Sequence, residues 1–215
     1  MCNYISLLSE VQELEEYFGA EYQGRPYHRD FRINGFGNPQ IPVILDENPS
    51  EIVPAQWGFI PSWAKDRTIE KKTLNARMEE VDEKPAYRNS VNNRCLIIVN
   101  AFHEWKWLDS KGKQKDNYLI KIKNQPLFAL GGLYNFWKDQ ATNEQFLTCT
   151  VGTTSANDLM SDIHNTKQRM PVVLNKNIQF RWLDEVPVEH FCFPQYDPEL
   201  EAENLTGLEN LHTLF

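Results

Sequence analysis

Two stretches decide the fold: PLFALGGLY (Pro126–Tyr134) and QFLTCTVGTT (Gln145–Thr154). Both are short apolar runs rich in aromatic and β-branched residues, and each reads as a strand. The segment ALGGL within the first lacks the glycine spacing of a phosphate cradle. Working outward, RCLIIVN (94–100) reads as a buried strand and NYLIKI (117–122) as a half-exposed one. IPVIL (41–45) and MPVVL (170–174) add two more. Helices are few. Ser9 and Gln12 have the spacing of a capping box. Val11, Leu14 and Phe18 then mark one face, and Gly19 ends a helix over residues 10–18. SANDLMSDIH (155–164) starts on an N-cap serine and predicts a helical turn, and NIQFRWLDE (177–185) predicts a helix. Residues 20–40 read as irregular, as does most of the acidic tail from Pro187 to Phe215. There is neither a repeat nor a dividing linker. The pattern therefore predicts one domain over residues 2–215, of the α+β class, built on mixed, mainly antiparallel and barrel-like sheet with a few short helices.

The 215 residues are enough for a sizeable core. No run approaches the length of a membrane span, and no basic segment followed by an apolar run marks a secretory signal. The four cysteines, Cys2, Cys95, Cys149 and Cys192, are far apart and form no zinc pattern. These features predict a reducing, cytoplasmic setting with neither metal nor cofactor. The net charge of −8 is unevenly spread: residues 61–125 carry 14 Lys/Arg against 9 Asp/Glu, whereas residues 181–215 carry 1 against 8. A net-acidic chain with a basic middle can still present a face to phosphate.

Five segments hold candidate chemistry, and taken singly each also fits an ordinary core, loop or surface. The chain begins MCNY. Removal of Met1 would leave an α-amine and a thiol on Cys2, a 1,2-aminothiol whose characteristic partner is an aldehyde. TLNAR (73–77) sets the amide of Asn75 two residues before Arg77, a fork suited to phosphate. In NAFHEWKW (100–107), where a strand runs out, Glu104 lies beside Phe102 and Trp105. Apolar rings raise a carboxyl pKa toward the range useful for proton transfer; His103 reads as a surface residue. SDIHNTKQRMPVVL (161–174) offers His164, able to exchange protons near neutral pH, and Arg169. WGFIPSWAKD (57–66) places Trp57, Phe59 and Trp63 before Lys65. That resembles a stacking platform with a basic rim, and stacking of single-stranded bases is worth about 1–3 kcal/mol each. At least one of those three rings is expected in the core.

Together and in this order, these segments resemble the SRAP family (SOS-response-associated peptidase), also described as abasic-site processing or DNA–protein crosslinking proteins. The resemblance rests on Cys2, Trp57 to Trp63, Asn75 to Arg77, Arg94 to Trp105, and Ile163 to Pro171. It implies that the amine of Cys2 attacks the ring-opened aldehyde of an abasic site in single-stranded DNA, and that the thiol then closes a thiazolidine. It also implies roles for other residues. Asn75 would position Cys2 and the opened sugar, Glu104 would shuttle protons, and His164 would assist ring opening and reversal. Arg77, Trp63, Lys65 and Arg169 would contact DNA. The sequence departs from the family pattern at Asn3-Tyr4, at Asn100 to His103, and in the four residues between His164 and Arg169. A monomer is expected; the resemblance implies self-processing at Met1, although trimming by an ordinary aminopeptidase would suffice where only Met1 precedes Cys2. Two alternatives stay open. One is an N-terminal-nucleophile cysteine peptidase or amidohydrolase acting on something other than DNA; the other is a non-catalytic nucleic-acid binder.

Overall fold

The computed structural model describes residues 2–25, 27–184 and 186–207. In chain order it runs β1 (Tyr4–Leu7), α1 (Val11–Phe18), β2 (Glu21–Tyr22), β3 (Asp30–Asn34), β4 (Gln40–Leu45), β5 (Asn48–Trp57) and β6 (Asn75–Arg77). Then come β7 (Arg94–Val99), β8 (Ala101–Trp107), β9 (Lys115–Ile122), β10 (Phe128–Lys138) and β11 (Gln145–Ser155). The described chain finishes with α2 (Asp158–Ile163), β12 (Arg169–Pro171), β13 (Val173–Leu174) and β14 (Leu200–Asn204).

The two stretches that open the sequence reading form a long antiparallel hairpin, with Gly132 opposite Val151 and Lys138 opposite Gln145. β7 pairs with the other edge of β10, β4 with β7, and β5 with β4. β5 then meets β11 in parallel, with Gln56 opposite Thr148 and Trp57 opposite Cys149. Strands β4, β5, β11, β10 and β7 therefore close on themselves as a barrel, which removes their free edges. The mixed, mainly antiparallel, barrel-like α+β architecture matches the expectation. β7 is buried at every position, because its far side is also covered. That is why RCLIIV is continuously apolar after Arg94 rather than alternating.

The two glycines of ALGGL are required by close approach. A Cβ on Gly131 would sit 3.0 Å from the ring of buried Trp182. On Gly132 it would lie 2.7 Å from the Thr150 carbonyl oxygen, 2.8 Å from Ile97 Cδ1 and 3.0 Å from Cys95 Sγ. Backbone cannot yield as a side chain does, so Gly132→Ala is expected to destabilise the barrel by about 3 kcal/mol. Thermal unfolding followed by circular dichroism checks this; at roughly 2–4 °C per kcal/mol for a chain of this size, the loss is readily seen.

The second sheet has five strands in the order β14-β9-β8-β1-β3. β1 is an interior strand, pairing Ile5 with Ile33 of β3 on one side and with Phe102 of β8 on the other. A continuous apolar core joins this sheet to the barrel, from Cys2, Ile5 and Leu7 through Ile97 and Leu130 to Trp182. No described helix is long and apolar enough to cross a membrane.

Several expectations need correction. Residues 20–40 are not simply irregular: they hold β2, β3 and a 3₁₀ turn at Gly35–Gly37. Helix α1 is present and ends at Gly19 (φ 66°), but its cap is Glu10, whose backbone N–H donates to Glu13 Oε2 at 2.6 Å. Ser9 is engaged elsewhere, its hydroxyl accepting from Asn100 Nδ2 at 3.1 Å. Helix α2 is capped by Asn157 rather than Ser155, with Oδ1 accepting from Met160 N at 3.0 Å. NIQFRWLDE shrinks to a 3₁₀ turn over Gln179–Trp182, and its last residue lies outside the described ones. The acidic tail contributes β14, which pairs with β9 from Leu200–Ile122 to Asn204–Tyr118; residues 208–215 lie outside the described ones.

Candidate active site

Cys2 and Asn3 lead directly into β1, whose interior place in its sheet and shared apolar core with the barrel bring them to the junction of the two sheets. Gly35 N–H donates to the Asn3 carbonyl oxygen at 2.9 Å and fixes that entry. On the barrel side, β6 lies parallel to β11, with Asn75 opposite Val151. Asn75 Nδ2 donates to Asn3 Oδ1 at 3.0 Å, tying β6 to the start of the chain. Asn75 Oδ1 is buried and has no hydrogen-bond partner among the described residues, so it is an acceptor held ready for a donor. The aromatic segment before it is a support. Trp57 Nε1 donates to the Leu74 carbonyl oxygen at 2.9 Å, Thr73 Oγ1 donates to that of Phe59 at 2.6 Å, and Tyr87, edge-on to Phe59, donates its hydroxyl to that of Asn75 at 3.1 Å.

Glu104 sits in β8, a new strand that starts at Ala101 rather than the end of the previous one. Only 5% of its surface is exposed. Burial pushes its carboxyl up from the usual carboxylate range to about 7. His164 follows α2 and lies with Nε2 3.9 Å from Glu104 Oε1. Its Nδ1 is 2.8 Å from the Arg169 carbonyl oxygen and 3.2 Å from the Arg169 backbone nitrogen, so the Arg169 backbone holds that side of the ring and the other ring nitrogen turns toward Glu104. Burial holds this imidazole down at about 4, so at neutral pH it is uncharged. Cys2 is completely buried, and its thiol donates to the Tyr4 carbonyl oxygen at 3.8 Å. Burial, reinforced by the charge of Glu104, raises the thiol pKa far above its ordinary value. A free thiolate is therefore not available at neutral pH, contrary to what ordinary reference values imply; the sulfur needs a proton acceptor, and Glu104 is the neighbouring one.

The shifts of Glu104 and His164 leave opposite marks on stability. Between pH 4.5 and 7 the folded state holds a proton on Glu104 that the unfolded state has released, so stability falls as pH rises through that window. For His164 the folded state binds fewer protons between pH 4 and 6.5, so stability rises there. Glu104→Gln removes the first effect alone. The variant is expected to gain stability over the parent by up to about 3 kcal/mol between pH 4.5 and 8, measurable as the difference between their urea midpoints at the two pH values.

The sequence-derived contact residues divide. Arg77 is exposed and pairs loosely with Glu80 at 3.4 Å. Lys65 is exposed, and Trp63, 54% exposed, is steadied by its Nε1 donating to the Pro85 carbonyl oxygen at 2.9 Å. Trp57 and Phe59 are fully buried and have no such platform role. Arg169, expected at a phosphate, instead grips Glu79 in a two-point pair (2.9 and 2.8 Å) and donates to the Thr153 carbonyl oxygen at 2.7 Å. Against the pull of burial, those hydrogen bonds and the charge of Arg169 hold Glu79 below its usual range. Arg169 thus clamps β12 to the turn after β6. His103, read as a surface residue, is fully buried; its Nε2 lies 3.0 Å from Ser6 Oγ and 2.9 Å from the Phe31 carbonyl oxygen. Sequence reasoning also missed Asn3, Glu79, Tyr87 and Asn165, because each acts through a partner distant in the chain.

The family profile of the SOS response associated peptidases (SRAP) matches residues 1–205. The chain belongs to the SRAP family. Among curated SRAP relatives, abasic site processing protein YoqW of Bacillus subtilis (strain 168) is 36% identical over 219 residues, 98% of this chain and 94% of the relative. Abasic site processing protein HMCES of Xenopus tropicalis is 31% identical over 179 residues, 69% of this chain and 52% of the relative. A crystal structure of a protein from Bacteroides thetaiotaomicron superposes with a TM-score of 0.83 at 27% identity, covering 94% of this chain and 91% of that one. One from Bordetella bronchiseptica, at 22% identity and a TM-score of 0.79, shares the SRAP fold.

Proposed function

We propose that this chain processes abasic sites in DNA, and that after loss of Met1 it joins Cys2 covalently to the ring-opened aldehyde of such a site in single-stranded DNA. The observation that carries the reading is the neighbourhood of Cys2. A second-position cysteine lies beside a buried carboxyl poised near pH 7, an uncharged imidazole and an amide with an unused acceptor. The names of the SRAP relatives supply the substrate class.

The α-amine of Cys2 adds to the aldehyde carbon to give a carbinolamine. Protonated Glu104 gives its proton to the departing hydroxyl, and water leaves as the imine forms. The Cys2 sulfur then adds to the same carbon and closes a five-membered thiazolidine. The thiol proton returns to the Glu104 carboxylate, and the iminium nitrogen takes up the electron pair as a ring amine. The net change is loss of one water. A carboxyl with a pKa near 7 can both give and take the proton within one cycle. Because amine and thiol belong to one residue, ring closure gains from proximity. His164, uncharged at neutral pH, serves as the base that opens the sugar ring and as the acid–base partner in reversal. The acceptor of Asn75 holds the amine or the opened sugar, and Arg77, Lys65 and Trp63 take the phosphates and flanking bases. Met1 is lost by self-processing or by aminopeptidase trimming.

The test is intact-mass spectrometry of Met1-processed protein mixed with a single-stranded oligonucleotide carrying one abasic site. The expected product has the summed mass less one water and survives denaturation. Absence of an adduct from processed wild-type protein would overturn the reading. An acyl-enzyme formed with peptide or amide substrates, with no response to DNA, would replace it with the amidohydrolase alternative.

A further inference from the structure

His164 and Glu104 come from elements far apart in the chain, and their approach depends on how the turn after α2 sits on β8. Past His103, β1 has ended, so β8 continues without a strand on that side. On its other side β9 stays paired as far as Trp107–Lys115, and Leu108 N–H reaches Gln114 O. The backbone N–H and C=O of Trp107 therefore face the side that β1 has left. Asn165 occupies that place. Its Oδ1 accepts from Trp107 N–H at 3.2 Å, and its Nδ2 donates to Trp107 O at 2.9 Å. One side-chain amide thus makes the two bonds a paired strand residue would make.

Two further contacts brace the same turn. Lys106 Nζ reaches both carboxylate oxygens of Asp162 at 2.6 Å. Gln168 N–H closes the turn onto the His164 carbonyl oxygen at 2.9 Å, with Gln168 itself in the left-handed region (φ 50°). Asn165 is exposed, so its two bonds form in competition with water and would not be expected to carry the fold. What they fix is register: the residue next to His164 is fastened to the strand that carries Glu104.

We propose that Asn165 is a positioning residue: its amide completes the edge of β8 and so holds His164 against Glu104. The charged groups facing His164 are Glu104 from β8, the amino terminus of the chain, Lys167 in its own turn and Arg169 from β12. Releasing the strap lets water reach the imidazole without removing any of them.

The decisive experiment is an NMR titration of the His164 imidazole in the full chain, without DNA. For Asn165→Ala the midpoint is expected to rise from about 4 toward 6.5. Asn165→Asp keeps the acceptor for Trp107 N–H but loses the donor, and is expected to fall between Ala and wild type. Unfolding temperatures should stay close to wild type in both. A His164 titration unchanged in both variants overturns the proposal. So does a large loss of thermal stability with an unshifted midpoint in Asn165→Asp, which would make the contact merely structural. A second arm rests on the reading in the preceding subsection: adduct formation should slow by about 10-fold or more in Asn165→Ala, as expected for displacement of a catalytic group by a fraction of an ångström to one ångström. A shifted titration with no adduct in the wild type would leave the strap standing and defeat the abasic-site reading instead.

Discussion

Cys2→Ala is expected to abolish any adduct that survives denaturation. The variant retains an α-amine once Met1 is removed, so it can still form an imine with an abasic aldehyde. That imine has no second nucleophile on the same residue to capture it, and water reverses it. The sulfur's contribution is ring closure within one residue, and such proximity effects reach several orders of magnitude, so a loss of at least about 100-fold is expected. Cys2 is fully buried beside Glu104, so the truncation removes one side chain from the junction of the two sheets and leaves Asn3 bonded to Asn75. Borohydride trapping separates the steps. Reduced imine should be recoverable from Cys2→Ala with abasic DNA, whereas unreduced adduct should come only from the parent. A denaturation-resistant adduct in Cys2→Ala would show that the sulfur has no part in it.

Glu104→Gln is expected to slow formation of the adduct by about 100-fold, at the low end of general acid–base contributions. The amide keeps the shape and burial of the carboxyl but cannot take the proton from a thiol whose own pKa is held high by burial. The pH dependence is the sharper signature. In the parent, the rate should change slope near pH 7, where Glu104 passes between its two forms. In the variant that inflection should vanish, while the lower one from His164, near pH 4, should remain. An inflection near 7 that persists in Glu104→Gln would transfer the proton shuttle to another group.

The contrast between what was legible in the sequence and what was not has a physical basis. Strands β7 and β10 were visible because burial on both faces demands long apolar runs, IPVIL within β4 for the same reason, and β11 because its buried residues are largely β-branched. β3 was hidden because DFRIN is mostly polar and owes its extension to β1, a partner some 25 residues earlier. β14, LEAEN, has poor strand propensity and is held by β9. The expected helix over 177–185 was cut short by Trp182, which is drawn against Gly131 and donates to the Gly132 carbonyl oxygen at 3.2 Å. In the candidate site, the raised carboxyl of Glu104 was legible from its apolar setting in the sequence, and burial is the cause. The Glu79 partner of Arg169 was not legible, being 90 residues away. A guanidinium near a motif says nothing of whether a carboxylate has already claimed it.

Among the described residues the five-stranded sheet, unlike the barrel, has two edge strands, and β14 is one of them. Its exposed Glu201 and Glu203 therefore line a row of backbone groups that could otherwise recruit a neighbour's strand. Mutual repulsion of these carboxylates opposes pairing between two such edges. Concentrated salt would screen that guard and leave the rim of the sheet adhesive.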